Sequence, residues 1–114
     1  MKKLVCKIKE LIQRAKNAYK RKALLGYYDR VIDKADEMYR QTGQRHFIVL
    51  DKDKDLAIVP NHIMVSAKKK SKDSWKQVKE NSMYYTEDKK EKCMSKKEVA
   101  LRKIYYVRQI HNIG

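Results

Sequence analysis

The sequence has few of the residues that interrupt, cross-link or anchor a chain. One Pro and three Gly occur in 114 residues, so few positions favour a turn. Two cysteines, Cys6 and Cys93, are too few for a disulfide framework or a zinc site, which indicates a reduced, intracellular protein. No apolar run exceeds five residues, too short to cross a bilayer, and Lys7 and Lys9 interrupt any signal-peptide segment.

Positive charge dominates the composition of the chain. There are 29 Lys and Arg against 14 Asp and Glu, a net charge of +15, while 42% of the residues are hydrophobic. Disordered chains combine high net charge with low hydrophobicity, and here the hydrophobic content is ordinary. We therefore expect one small basic folded domain over residues 1–114.

The charge is concentrated at the two ends of the chain. Residues 1–25 hold nine basic side chains and one acidic side chain. Residues 26–65 hold six basic and seven acidic side chains, and residues 66–114 hold fourteen basic and six acidic ones. This distribution predicts a structural centre flanked by two basic surfaces. Ordinary solvation of Lys-rich helices is the alternative.

The first third of the sequence has helical periodicity. Apolar residues recur at steps of three and four, first from Leu4 to Tyr19 and again from Tyr28 to Tyr39. Gly26 between the two patterns favours two helices over one long helix, and Gly43 is suited to the C-terminal cap of the second. We expect the first apolar stripe to pack against the rest of the domain.

Shorter elements follow. The runs 47–50 and 56–59 are β-branched or aromatic, and five polar residues separate them, which predicts a β-hairpin that ends at Pro60. A short helix is expected next, with Asn61 as its N-cap, running into the lysines at 68–70. Residues 71–94 are the least informative segment, with a possible helical turn around Trp75. Ser95 and Glu98 match a capping box that begins a C-terminal helix.

The predicted fold class is α+β, a helical protein with about four helices and a small central β-hairpin. Twelve apolar residues are expected in the core: Leu4, Ile8, Leu11, Ile12, Val31, Ile32, Met38, Ile48, Leu50, Ile58, Ile104 and Ile110.

Metal binding and catalysis have weak support. The acidic residues at 51, 53 and 55 have the spacing that begins an EF-hand loop, but Leu56 and His62 replace the glycine and the glutamate that such a loop requires. A solvated hairpin turn is the simpler interpretation.

The three histidines and two cysteines match no catalytic motif. A Cys and a His that become neighbours in the folded protein stay an open alternative, because the sequence does not show which residues are neighbours in space. We expect no catalytic residues, no metal and no cofactor, and a buried structural role for the cysteines.

Polyanion binding has the strongest support. Each Lys or Arg that contacts a phosphate releases counterions, so binding follows the number of charges. Lys outnumbers Arg by 22 to 7, which favours backbone contact over base readout because Arg is the usual reader of guanine. The candidate contacts form three clusters: Lys16, Lys20, Arg21 and Lys22; Lys68, Lys69, Lys70 and Lys72; and Lys96, Lys97, Arg102 and Lys103.

Three Tyr-Tyr pairs, at 27–28, 84–85 and 105–106, offer aromatic surfaces on which unpaired bases can stack. The simpler interpretation places one tyrosine of each pair in the core and the other at the surface.

Two segments resemble short basic proteins of crAss-like tailed phages. These are the run from Thr42 to Leu50, and Tyr84-Tyr85-Thr86 followed by a charged loop and a helix with Arg102-Lys103-Ile104-Tyr105-Tyr106. Proteins of that kind often have Pro after the Tyr-Tyr-Thr element, where this chain has Glu87. The resemblance implies a phage origin and a place in the virion as a capsid-associated or auxiliary component.

The sequence thus predicts a non-enzymatic structural or accessory protein, in a virion or in the host cytoplasm. Its basic helical faces are expected to dock onto acidic protein surfaces of a larger assembly, such as the capsid, or onto packaged DNA. A free, non-specific nucleic-acid-binding or host-modulating protein is the alternative. A peripheral membrane role for the first helix is disfavoured by the packing expected of its stripe, and no small-molecule substrate is expected.

Overall fold

Four α-helices and a three-stranded sheet make up the part of the chain that the computed structural model describes, which is residues 2–89 and 91–113, with side chains from residue 6 onward. The helix-dominated α+β class, 65% helical, is confirmed. The elements are α1 (Lys2–Thr42), β1 (His46–Leu50), β2 (Leu56–Pro60), α2 (Asn61–Ser71), α3 (Trp75–Asn81), β3 (Tyr84–Tyr85), α4 (Lys96–Tyr105) and a π-helical turn (Tyr106–Ile110).

The first helix is continuous through Gly26, so the prediction of two helices is wrong. Gly in a helix interior costs only about 1 kcal/mol relative to Ala, and residues on either side have adequate helix propensity. The 41 residues of α1 extend about 60 Å at 1.5 Å per residue, which accounts for the 63 Å long axis of the molecule. Gly43 ends the helix with a φ of +71°, and its N–H donates to the Tyr39 carbonyl oxygen, as predicted for this cap.

The predicted hairpin supplies the central strand and one edge strand of the sheet. β1 pairs antiparallel with β2, and β3 adds to the other edge of β1 in the order β2-β1-β3. In the connecting loop the carboxylate of Asp51 accepts hydrogen bonds from the N–H groups of Asp53 and Asp55, at 2.8 and 3.0 Å. The acidic residues of this loop therefore stabilise a turn, as the simpler interpretation of this segment predicted.

The sheet has a helical layer on each face because strand side chains alternate. Ile48 on β1 packs towards α1, α4 and the π-helical turn, in a cluster that includes Tyr28, Tyr84 and Tyr106. Phe47, its neighbour, points the other way, into a smaller cluster with α2 and α3. The result is a helix–sheet–helix sandwich from which the N-terminal half of α1 extends.

The three tyrosine pairs divide as the simpler interpretation predicted. Tyr28, Tyr84 and Tyr106 are buried, whereas their neighbours are half-buried or exposed. Tyr28 donates its hydroxyl proton to the Met83 carbonyl oxygen, and Tyr84 donates to a carboxylate oxygen of Asp36 at 2.9 Å. The buried rings thus connect α1 to the segment around β3.

Several predictions of the core are wrong. Ile8, Leu11, Ile12 and Ile104 are exposed, and Leu4 lies outside the described side chains. Ile48 is fully buried, and Val31, Ile32, Leu50, Ile58 and Ile110 pack against the core as predicted, while Met38 is half-buried. The buried side chains that the prediction of the core omitted are Tyr28, Ala35, Phe47, Leu56, Met64, Val78, Met83, Tyr84, Met94, Tyr106 and Val107.

The shorter helices begin at recognisable caps. Ser95 caps α4 through its side-chain oxygen, which accepts from the Glu98 N–H at 3.2 Å, so the serine half of the predicted capping box forms. The Glu98 carboxylate lies 4.0 Å from Arg102 instead of completing the box. Ser74 and Gln77 form a complete capping box at the start of α3. α2 follows β2 directly, with Pro60 as its N-cap residue where the sequence suggested Asn61.

Candidate binding surface

The N-terminal half of α1 has its side chains in solvent. We call residues 6–23 the arm: all of these side chains are exposed except Asn17, which is half-buried. Leu11 is 63% exposed, Ile12 50% and Tyr19 77%. The expectation that this apolar stripe packs against the domain is therefore wrong.

Helix geometry explains why the stripe stays uncovered. At about 100° per residue, Ala15, in the middle of the stripe, lies about 160° around the helix axis from Ala35, which is fully buried against the sheet. The apolar pattern changes face between Tyr19 and Leu24, and only the second pattern meets the core. The arm therefore presents a stripe that points away from the layer to which α1 is packed.

The arm is also strongly basic. It holds one acidic residue, Glu10, and seven basic ones: Lys7, Lys9, Arg14, Lys16, Lys20, Arg21 and Lys22. Among the described residues, none of these seven forms an ion pair within the chain. The first predicted cluster lies here, fully available to a partner.

Outside the arm, four basic residues in the described part of the chain contact carboxylates of the chain itself: Arg45, Lys79, Arg102 and Lys103. Arg45 is buried, pairs with Asp88 at 3.5 Å and Glu91 at 3.1 Å, and donates to the Thr86 carbonyl oxygen. Its guanidinium also lies 5.6 Å from the Phe47 ring centroid. This basic residue holds the sheet edge to the following loop, and it has a structural role.

The second predicted cluster lies at the C-terminal end of α2. Lys69, Lys70 and Lys72 are exposed, whereas Lys68 is half-buried with its Nζ 5.2 Å from the Trp75 ring centroid. Lysines in a last helical turn also stabilise the helix through its dipole, so this cluster has a local role independent of any partner.

The third predicted cluster is divided. Lys96 and Lys97 are exposed in the first turn of α4. Arg102 lies 4.0 Å from Glu98, and Lys103 forms an ion pair with Asp29 of α1. Half of this cluster therefore takes part in contacts within the chain.

The three clusters do not form one continuous patch. α2 packs on the Phe47 face of the sheet, and α1 and α4 pack on the Ile48 face. The second cluster is thus on the opposite layer from the third, while the first extends beyond both on the arm. On the arm, seven unpaired basic residues lie beside the exposed side chains of Ile8, Leu11, Ile12 and Tyr19.

The candidate nucleophiles and proton carriers are dispersed. His46 is buried on β1 with Nδ1 2.7 Å from the Gln44 carbonyl oxygen, His62 is exposed on α2, and His111 follows the π-helical turn. Cys6 and Cys93 are exposed free thiols, so the expectation of buried cysteines is wrong. Within residues 2–89 and 91–113, groups of three or more metal-ligating side chains are absent.

A cleft of about 500 Å³ is an open groove between α1 and β2, lined by Tyr27, Arg30, Lys34 and apolar side chains. Nearby, Tyr27 donates to the Asp55 carboxylate at 2.7 Å. This hydrogen bond raises the pKa of Tyr27 to about 12 and lowers the pKa of Asp55 below its ordinary value. The Tyr27 hydroxyl thus links α1 to the hairpin loop.

Sequence reasoning did not find the exposed stripe, although its signal is present. Continued around the helix at about 100° per residue, the face of the stripe meets Lys22, Gly26, Asp29, Asp33 and Glu37, none of which is a core residue. A second exposed apolar set lies on α4, at Leu101, Ile104 and Tyr105.

None of the helices in the described part of the chain has the length and apolar character needed to cross a membrane. Comparisons with protein-family models, with curated proteins and with solved structures found no match to this chain.

Proposed function

We propose that the protein is a non-enzymatic accessory component that docks through its basic helical surfaces onto an acidic protein surface of a larger assembly. The observation that supports this most strongly is the density of unpaired basic residues on the arm, which has seven basic residues and one acidic residue among residues 6–23. Arg45, Lys79 and Lys103 pair with carboxylates of the chain itself, whereas the seven basic residues of the arm pair with none.

The exposed apolar residues of the arm favour protein over nucleic acid as the main partner. Phosphate backbones attract the lysines through counterion release, but they offer no apolar surface to cover Leu11 and Ile12. Protein interfaces combine an apolar centre with a charged rim, which is the arrangement that the arm presents.

The resemblance to short basic proteins of crAss-like tailed phages extends the proposal to a virion. In that setting the partner is an acidic surface of the capsid or of a protein attached to it, and packaged DNA is a secondary contact. A free nucleic-acid-binding protein is the second candidate, supported by the exposed Lys69, Lys70 and Lys72 on the opposite layer.

Salt-dependent binding to two anionic polymers, polyglutamate and duplex DNA, tests the proposal. The test variant changes the four arm residues Lys16, Lys20, Arg21 and Lys22 to Gln. The matched control removes four exposed charges from the middle of the chain, at Lys34, Arg40, Lys52 and Lys54, also by change to Gln.

We expect the arm variant to bind both polymers more weakly and with a shallower salt slope, by about 0.9 per lost phosphate contact on DNA, with a smaller change in the control. Absence of salt-dependent binding to either polymer, or equal effects of the two variants, would contradict the proposal. If the phage origin is correct, mass spectrometry of purified particles finds the protein at a fixed stoichiometry.

A further inference from the structure

We infer that the apolar stripe of the arm is a docking seam for an acidic amphipathic helix of a partner protein. This inference rests on the proposed function and specifies the chemistry of the partner. Its basis is the placement of exposed apolar and unpaired basic side chains on one helical segment that the rest of the chain leaves uncovered.

The spacing of the stripe suits a helix as partner. Ile8, Leu11, Ala15 and Ala18 alternate steps of three and four, which is the repeat of a coiled-coil seam. The two alanines allow a second helix to approach closely, while Ile12 and Tyr19 widen the seam on one side.

The charges that border the seam specify an acidic partner. By helix geometry, Lys7 and Arg14 lie along one edge of the stripe, and Lys9 and Lys16 lie along the other. A partner helix with Asp or Glu on both sides of its own apolar seam places opposite charges along both edges. Such flanking pairs select partners in coiled coils.

A second copy of the arm fits this surface poorly. Residues 1–25 carry nine basic side chains and one acidic, so two arms brought together place like charges along both edges of the seam. Repulsion of this kind disfavours pairing of identical helices.

An anionic bilayer also fits poorly. α1 is one continuous helix, so a flat surface against the arm also meets the same face of its C-terminal half. That face has no apolar side chain to insert into a bilayer, and its exposed acidic residues Asp33 and Glu37 offset the exposed basic residues Arg30 and Arg40. A partner helix that ends near Tyr19 avoids Asp33 and Glu37.

A designed acidic peptide provides the test. The probe has three heptads with Leu at the seam positions and Glu on both flanks, and the control peptide has Ala in place of each Leu, which keeps the charge and the helix propensity. The full-length protein is compared with a variant that combines Leu11→Gln and Ile12→Gln. Ile104→Gln on α4 is the matched control, because Ile104 has a similar exposure, 48%, outside the arm.

We expect the wild-type protein to bind the Leu peptide at least tenfold more tightly than the Ala peptide. The double variant should lose this preference, and Ile104→Gln should retain it. Since the substituted residues are exposed, circular dichroism of both variants should match the wild-type protein.

Three results would overturn the inference. The first is equal affinity of the wild-type protein for both peptides at all salt concentrations. The second is binding to vesicles of phosphatidylglycerol that the double variant abolishes while both peptides bind equally. The third is a wild-type dimer, measured by sedimentation, that the double variant dissociates. If neither peptide nor duplex DNA binds in a salt-dependent manner, the proposed function itself fails.

Discussion

Tyr19 and Tyr28 lie nine residues apart on one helix, yet Tyr19 is 77% exposed and Tyr28 is completely buried. Between these two tyrosines, α1 extends beyond the packed domain, so the side chains of residues 6–23 other than Asn17 are in solvent. Tyr28 packs against Tyr106 with ring centroids 5.5 Å apart and donates its hydroxyl proton to the Met83 carbonyl oxygen. The same residue type thus has a structural role at one position and is available to a partner at the other.

Substitution of each tyrosine by phenylalanine removes its hydroxyl and tests how much that hydroxyl contributes to the free energy of unfolding. Tyr28→Phe keeps the ring but removes the buried hydrogen bond, so we expect the free energy of unfolding to fall by about 1 kcal/mol. Tyr19→Phe is the matched control and should change it by less than about 0.5 kcal/mol. Urea denaturation measures the free energy of unfolding of both variants. Equal losses would show that Tyr19 is packed against the rest of the protein, contrary to its exposure in the structure.

The two glycines of α1 should respond in opposite directions to alanine. Gly26 is inside the helix, and a Cβ there meets only the end of the Arg30 side chain at 3.5 Å, so Gly26→Ala should stabilise the protein by about 0.5–1 kcal/mol. Gly43→Ala should destabilise it by about 1 kcal/mol because its φ of +71° strains any residue with a Cβ. Thermal unfolding of both variants checks the signs, and destabilisation by Gly26→Ala would contradict a continuous α1.

Arg45 should not tolerate lysine. Its guanidinium donates to the Thr86 carbonyl oxygen, pairs with two carboxylates and lies over the Phe47 ring, and an ammonium group cannot reproduce this planar set of contacts. We expect Arg45→Lys to cost about 2 kcal/mol, below the 3–5 typical of a fully buried pair because both carboxylates are partly exposed. Arg40→Lys, on the exposed end of α1, is the control for chemical denaturation, and it should be near neutral.

Asp36 gives the protein a pH dependence of defined sign. Burial raises the pKa of Asp36 above its ordinary value of 3.8, although the hydrogen bond from Tyr84 opposes this shift. An acid with a raised pKa in the folded state binds its proton more tightly there, so ionisation destabilises the fold as the pH rises above 3.8.

Asp36→Asn removes that ionisation and keeps an oxygen for Tyr84. We therefore expect greater stability than the wild-type protein at pH 7, and a gain that disappears as the pH falls below about 4. Asp33→Asn changes the net charge equally at an exposed position and should give no gain. Denaturation at several pH values measures this, and a gain that persists in acid would contradict the assigned cause.

Those parts of the fold that depend on local patterns were predictable from the sequence. The hairpin followed from two β-branched runs around a polar loop, and the start of α4 followed from Ser95 and Glu98. β3 was missed because a strand of two residues has no periodicity of its own and forms only by pairing with β1. The helix Trp75–Asn81 has a weak apolar pattern in the sequence, and its clearest signal is the capping box of Ser74 and Gln77.

The candidate site was predicted in part. Four of the seven basic residues of the arm, Lys16, Lys20, Arg21 and Lys22, were among the predicted contacts, but the exposed stripe beside them was not predicted. Amphipathic periodicity shows that a helix has an apolar face, but it does not show whether another element covers that face. Much of the core is Tyr and Met, among them Tyr106 and Met94, and these residue types are common at surfaces as well. The assignment of core and surface therefore required the packed structure.

Hydrogen exchange of the full-length protein, alone and with the Leu-seam acidic peptide, tests the docking of the arm most directly. Amides of residues 6–23 are held mainly by the helix itself, so they should exchange rapidly in the free protein. Saturating peptide should slow them at least tenfold and leave the amides of Phe47 and Ile48 on β1 unchanged. Arm amides as protected in the free protein as those of β1, or unaffected by the peptide, would contradict the account.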